Sequence, residues 1–205
     1  GHAAVASRYV NRGIELLEAG RPHEAVDWFR KALAADPASD DIAFDLGLAL
    51  LRSGQPARAR DVFEHLLSGT GPADAPAVHD GGTPAYRSSR PTDLAATPPA
   101  GRAGLTTTDR TMLADTHANL GLALYELGHD DAAEHHYLTA LALMPDHPEA
   151  SNNLGVIFFR RARYAEARGC FELALRSRPE YADAHLNLVD TIEMLEEVST
   201  GDSPM

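Results

Sequence analysis

The chain has 205 residues, 44% hydrophobic and 23% charged, a balance found in folded rather than disordered proteins. Its net charge of -12 argues against general affinity for nucleic acid or an anionic membrane. It points to cationic or basic-peptide partners, unless the acidity serves solubility alone. Cys170, the one cysteine, rules out an intrachain disulfide and a cysteine-based zinc site.

In chain order, helices are predicted over residues 4–19 and 22–35, and the pair carries Tyr9, Gly13, Leu16, Gly20, Ala25, Phe29, Ala32 and Pro37. A second pair, over 40–53 and 56–68, returns the same residue classes as Leu46, Gly47, Leu50, Gly54, Ala59, Phe63 and Leu66. Residues 69–109 interrupt the pattern with a Gly-, Pro-, Ser- and Thr-rich stretch that includes Gly81-Gly82 and Pro98-Pro99. Such composition buries too little apolar surface to offset its ordering entropy, so a flexible insert is expected, with a short turn near 92–96. The third pair, over 110–127 and 130–143, carries Leu120, Gly121, Leu124, Gly128, Ala133, Tyr137, Ala140 and Pro145. The fourth, over 148–161 and 164–177, carries Leu154, Gly155, Phe158, Ala162, Ala167, Phe171, Ala174 and Pro179. A ninth helix over 182–197 and a disordered tail over 198–205 complete the prediction.

The spacing has a physical reason. Gly13, Gly47, Gly121 and Gly155 fall inside helices, where glycine costs about 1 kcal/mol against alanine. That cost is tolerable where the missing side chain lets a second helix come close. Ala25, Ala59, Ala133 and Ala167 are the small residues expected on that second helix, and Phe29, Phe63, Tyr137 and Phe171 fill the space. Prolines 37, 145 and 179 stop the second helix of their pairs.

Gly13 to Gly47 and Gly121 to Gly155 are each 34 residues apart, the period of the tetratricopeptide repeat, which this chain therefore resembles. The resemblance implies an all-α, right-handed solenoid: repeats at 4–68, repeats at 110–181, and a capping helix at 182–197. Gly47 to Gly121 is 74 residues, so about 40 residues are inserted beyond one repeat. Two repeats on either side are too few to stand alone, so the halves are expected to stack as though the insert were absent. A flexible insert of that length also allows a domain swap between chains. Leu188 and Val189 follow Leu154 and Gly155 by 34 residues, so the ninth helix reads as the first helix of a further repeat. Its Glu193, Glu196 and Glu197 suit a water-facing cap.

Pairs spaced i, i+4 recur in register on the first helix of each unit: Ser7/Asn11, Asp41/Asp45, Asp115/Asn119, Glu149/Asn153 and Asp183/Asn187. Because first helices line the concave face in this family, the resemblance implies a groove with one row mainly of Asn and one mainly of Asp or Glu. Ile14, Leu48, Leu122 and Val156 lie between the rows as apolar contacts. An amide both donates and accepts, so such a row suits the backbone of an extended peptide. Asn11, Asn119, Asn153 and Asn187 are similar to the asparagine ladder of O-linked N-acetylglucosamine transferases, although Asp45 breaks the series. The same residues also read as side chains that satisfy neighbouring helix groups and acids that favour helix N-termini. Co-chaperone repeats that grip a C-terminal carboxylate place basic residues where this chain has Asp41, Asp115, Glu149 and Asp183, so that partner class is excluded.

Other candidates are weaker. His129, His135 and His136 with Asp130, Asp131 and Glu134 lack metal-motif spacing and read as a solvated face. Trp28 and Cys170 read as packing residues. Tyr86-Arg87-Ser88-Ser89-Arg90 is the basic spot of the insert and could fold back into an acidic groove. No nucleophile triad, phosphate loop or dinucleotide fingerprint is present, so neither catalysis nor a cofactor or metal is expected. No apolar run spans a membrane and no signal peptide is visible, which favours a cytoplasmic protein. Gly1-His2 reads as a tag remnant, so a native N-terminal segment is expected to be missing. The expected function is a non-catalytic adaptor for an extended, basic peptide segment. The alternatives are a substrate-recruiting module or accessory subunit of a modifying enzyme such as a glycosyltransferase, and a self-assembling scaffold.

Overall fold

The computed structural model describes residues 2–68 and 106–201; the insert's expected turn and its basic spot lie outside them. Nine helices and no strand occur among the described residues: α1 (His2–Glu18), α2 (Pro22–Ala35), α3 (Asp40–Arg52), α4 (Pro56–Ser68), α5 (Thr107–Glu126), α6 (Asp130–Leu143), α7 (Pro148–Arg160), α8 (Tyr164–Ser177) and α9 (Ala182–Gly201). Proline opens α2, α4 and α7, where its missing N–H removes nothing a first turn would use. Gly20, Gly54 and Gly128 turn the chain between paired helices at φ of 69°, 70° and 80°. The fourth repeat makes that turn with Ala162 at φ 56°, a conformation that costs an L-residue roughly 1–2 kcal/mol.

Two boundaries differ from expectation. Helix α5 starts at Thr107 rather than 110, because Thr106 forms a capping box: Asp109 N–H donates to Thr106 Oγ1 at 3.1 Å, and Thr106 N–H donates to Asp109 Oδ2 at 3.1 Å. The insert expected to run through 109 therefore ends in helix. Helix α9 continues through Gly201, so the disorder expected from 198 is corrected for 198–201, while 202–205 lie outside the described residues.

Each odd helix packs on the even helix after it, and each even helix packs on the next odd one. The pairing α4 on α5 crosses the insert, and one cluster of buried side chains runs from Leu16 through Phe63 and Leu120 to Phe171. The two halves are thus one solenoid. No helix among the described residues is long and apolar enough to cross a membrane.

Inside each pair a ring stands over a glycine. A Cβ on Gly13, Gly47, Gly121 or Gly155 would lie 2.7, 2.5, 2.7 or 2.6 Å from Phe29, Phe63, Tyr137 or Phe171, all of them buried rings. Removing the side chain is what brings the helices together. At the front of the solenoid, α1 carries exposed Arg8, Arg12 and Glu15 where α3 buries Ile42, Leu46 and Ala49. Arg12 pairs with Glu15 at 2.8 Å, so this face is built for water.

Two alanine substitutions separate helix propensity from packing. Gly47→Ala is expected to destabilise by about 1–2 kcal/mol, because ring displacement outweighs the propensity gain. Gly169, inside α8, has no atom within 4 Å of an added Cβ, so Gly169→Ala should stabilise by about 0.5–1 kcal/mol. Urea unfolding measures both; a Gly47→Ala protein as stable as Gly169→Ala would contradict the packing account.

Candidate functional site

The odd helices form the inner row of the solenoid. α3 touches α5, α5 touches α7 and α7 touches α9, while the even helices make no comparable contact with one another. Closer approach on the odd side bends the stack toward it. The two polar rows fall on this side, with Leu48, Leu122 and Val156 half-buried between them and Ile14 exposed.

The acidic row is not uniform. Asp41 and Asp45 line a depression of about 500 Å³ with Phe44, Thr107, Thr111 and Met112. The α5 wall comes from the two extra turns that Thr106 caps, which the repeat pattern does not contain. Burial, and then the nearby Asp41 carboxylate, raise the Asp45 carboxyl above its ordinary range. Further along, the chain supplies its own partners. His147 Nδ1 accepts from Ala150 N–H at 3.2 Å, which leaves the proton on Nε2 to be donated to Asp115 Oδ1 at 3.0 Å. Glu149 accepts from Arg178 at 2.5 Å. In the row mainly of Asp or Glu, Asp41 and Asp183 are thus exposed, while Asp115 and Glu149 between them have partners within the chain.

The asparagine row is partly engaged as well. Asn11 is exposed. Asn119 Nδ2 donates to the Asp115 carbonyl at 2.8 Å. Asn187 Nδ2 donates to Asn152 Oδ1 at 3.0 Å, and Asn152 Nδ2 donates to Asn153 Oδ1 at 3.3 Å. Asn119 and Asn187 each spend one amide function and retain an oxygen and a second N–H, while the Asn153 side chain also faces the buried Tyr137 hydroxyl. Asn152, buried at 4% exposure, ties the last two rungs together and was missed. The available signal was a polar residue in the register that holds Val10, Phe44 and Ala118 elsewhere.

One of the three histidines differs from expectation. His136 does not belong to a solvated face: its Nδ1 lies 2.9 Å from His117 Nδ1, and the rings stack at 5.2 Å. The pair occupies the slot that Tyr9 and Trp28 fill in the first repeat, with ring centroids 5.6 Å apart. His135 and His129 are exposed, and Asp131 and Glu134 pair with Arg161 at 2.6 and 2.5 Å. Among the described residues no group of three or more histidine, cysteine or acidic side chains is placed to hold a metal ion. Burial pushes the Cys170 thiol up to about 11, so it stays protonated at neutral pH and is a poor nucleophile.

Two family models, both described as tetratricopeptide repeat, match residues 16–79, and 119–182 with 159–198. Among solved structures, pilF of Pseudomonas aeruginosa is 21% identical, with 96% of this chain and 72% of that one covered at a TM-score of 0.65. MamA is 15% identical, with 98% and 97% covered at 0.59. YrrB, described as a TPR protein with an unusual peptide-binding site, is 20% identical, with 92% and 76% covered at 0.53. At these identities the likeness is one of fold. No curated protein matches the chain.

Burial, and then the neighbouring His135, push His136 down to about 4. The unfolded chain takes up that proton near the ordinary value of about 6.5, so the stabilisation is complete above it and is lost as pH falls toward 4. The contribution is at most about 3 kcal/mol. A His117→Tyr/His136→Trp variant copies the first-repeat pair and should lose less stability between pH 7 and pH 4.5 in urea unfolding. Equal losses would contradict a buried neutral His136.

Proposed function

The chain belongs to the tetratricopeptide-repeat family, and on that premise we propose that its inner face holds an extended, basic segment of a partner protein, without catalysis. Tetratricopeptide repeats mediate protein–protein interactions, and the finer reading rests on the α3–α5 depression. There the Asp41 and Asp45 carboxylates lie in each other's field and, among the described residues, neither has a cation within ion-pair distance, while Asp115, the third carboxylate of the lining, is held by His147. An incoming guanidinium or ammonium would relieve that repulsion and bring Asp45 back toward its ordinary ionisation. Phe44 and Met112 offer apolar contact to the stem of a long basic side chain.

From this anchor the partner would run toward Asn119, Asn153 and Asn187, whose unspent amide functions suit a peptide backbone whatever its sequence. The internal pairing of Asp115 and Glu149 makes the middle of the groove less demanding of charge than its α3 end. An adaptor and the recruiting module of a modifying enzyme would both use this surface. Residues 86–90 remain a candidate internal competitor for it.

Fluorescence anisotropy with ten-residue extended peptides, one bearing arginines and one the same sequence with glutamates, tests the reading. The arginine peptide should bind saturably and the glutamate peptide should not. Asp41→Asn/Asp45→Asn should weaken binding about tenfold, the loss of one charged contact of about 1.4 kcal/mol. Asn119→Ala/Asn153→Ala/Asn187→Ala should weaken arginine-bearing peptides of any backbone sequence alike. Undiminished binding to both variants would overturn the groove.

A further inference from the structure

Helix α9 shows a face that the other odd helices cover. Val189 stands at the position of Gly13, Gly47, Gly121 and Gly155, and Ile192 at that of Leu16, Leu50, Leu124 and Phe158. In the four repeats these positions meet the following even helix. α9 packs its other side on α8 and α7, burying Ala184 and Thr191. Among the described residues nothing covers the opposite side: Leu186 is 66% exposed, Val189 53% and Ile192 39%. The expectation of a polar cap thus holds only for the C-terminal half, where Glu193, Glu196 and Glu197 are exposed and line, with Thr200, a depression of about 360 Å³.

Helical geometry puts both halves on one side. Leu186, Val189 and Ile192 span about 120° of arc at 100° per residue, and Glu193 and Glu196 continue the same arc one turn on. The surface is apolar at one end and triply acidic at the other. We infer that this α9 face docks a short amphipathic helix of a partner protein, with an apolar stripe, a small residue opposite Val189, and arginine or lysine against the three glutamates.

Three observations choose this occupant. First, Val189 replaces the glycine that admits a ring in every internal pair, so a helix with an aromatic at that place cannot approach as closely; alanine or glycine can. Second, the glutamates ask for cations, and the net charge of -12 makes a second copy a poor source of them. A parallel α9 from another chain would set glutamate on glutamate, and an antiparallel one glutamate on leucine. The α1 face of a second copy offers Arg8, Arg12 and Glu15 to the apolar residues. Third, every even helix in the fold runs antiparallel to its odd partner. An occupant in that orientation brings its N-terminal turn, with its positive dipole end, to the glutamates.

The probe is a stapled helical peptide with leucines and a central alanine along one face and arginines in its first turns, labelled for anisotropy and added to the full chain. Saturable binding is expected, weakened at least about tenfold by Leu186→Asp and separately by Glu193→Gln/Glu196→Gln/Glu197→Gln, with circular dichroism unchanged. Replacing the central alanine with phenylalanine should weaken binding to the wild type and restore it to Val189→Gly. Asp41→Asn/Asp45→Asn should leave the affinity unaltered. Four results would overturn the inference. They are an absence of saturable binding, equal binding by a scrambled peptide, loss of binding in the inner-face variant, and a concentration-dependent dimer abolished by Leu186→Asp.

Discussion

Four times along this chain a buried ring sits where a glycine has no side chain, and the spacing of everything else follows from that contact. With a Cβ at Gly47 or Gly155 the ring of Phe63 or Phe171 would be met at 2.5 or 2.6 Å, so each helical pair would have to open. The closeness of the pair sets which side of each odd helix is spent on its own partner. The remaining sides then stack on the preceding even helix or turn inward. Because the register is kept across the insert, α4 meets α5 as α2 meets α3, and the inner row stays continuous. Where the contact has no second helix, at α9, the same register leaves Leu186, Val189 and Ile192 in water.

The repeats share a scaffold without sharing a surface. The third repeat fills with His117 and His136 the slot that holds Tyr9 and Trp28 in the first. Asp115 and Glu149 keep the acidic register, but His147 and Arg178 satisfy them from within the chain. Among the described residues the acids of this register left without an ion pair are Asp183, Asp41 and Asp45, the last two beside the two added turns of α5. The binding we propose therefore centres on one junction of the solenoid, between α3 and α5. The acidic end of α9 lines a separate depression, so the two proposed contacts call on different surfaces.

Most of the fold was legible because glycine, alanine and aromatic residues at fixed spacing encode helix pairing locally. The helix pairs and their stacking across the insert follow from that code. What escaped it depended on single local signals or on distant contacts. The start of α5 was written in Thr106 and Asp109, a capping pair embedded in a threonine run that reads as linker. His136 looked exposed because its partner lies nineteen residues earlier on another helix. The pairing of Glu149 with Arg178 and of Asn187 with Asn152 depends on how successive turns and helices approach, which spacing alone does not specify. The exposed apolar face of α9 was foreshadowed by Val189 standing in a glycine register.

A distance measurement across the α3–α5 junction tests most directly whether the two halves make one inner face. Spin labels at Asp41→Cys and Thr108→Cys in a Cys170→Ser background would flank the depression from opposite walls. One continuous solenoid gives a single narrow, short distance that persists when labelled protein is diluted with excess unlabelled protein. A broad distribution, or a short distance lost on that dilution, would mean that the halves are independent or exchanged between chains, and the groove as described would not exist.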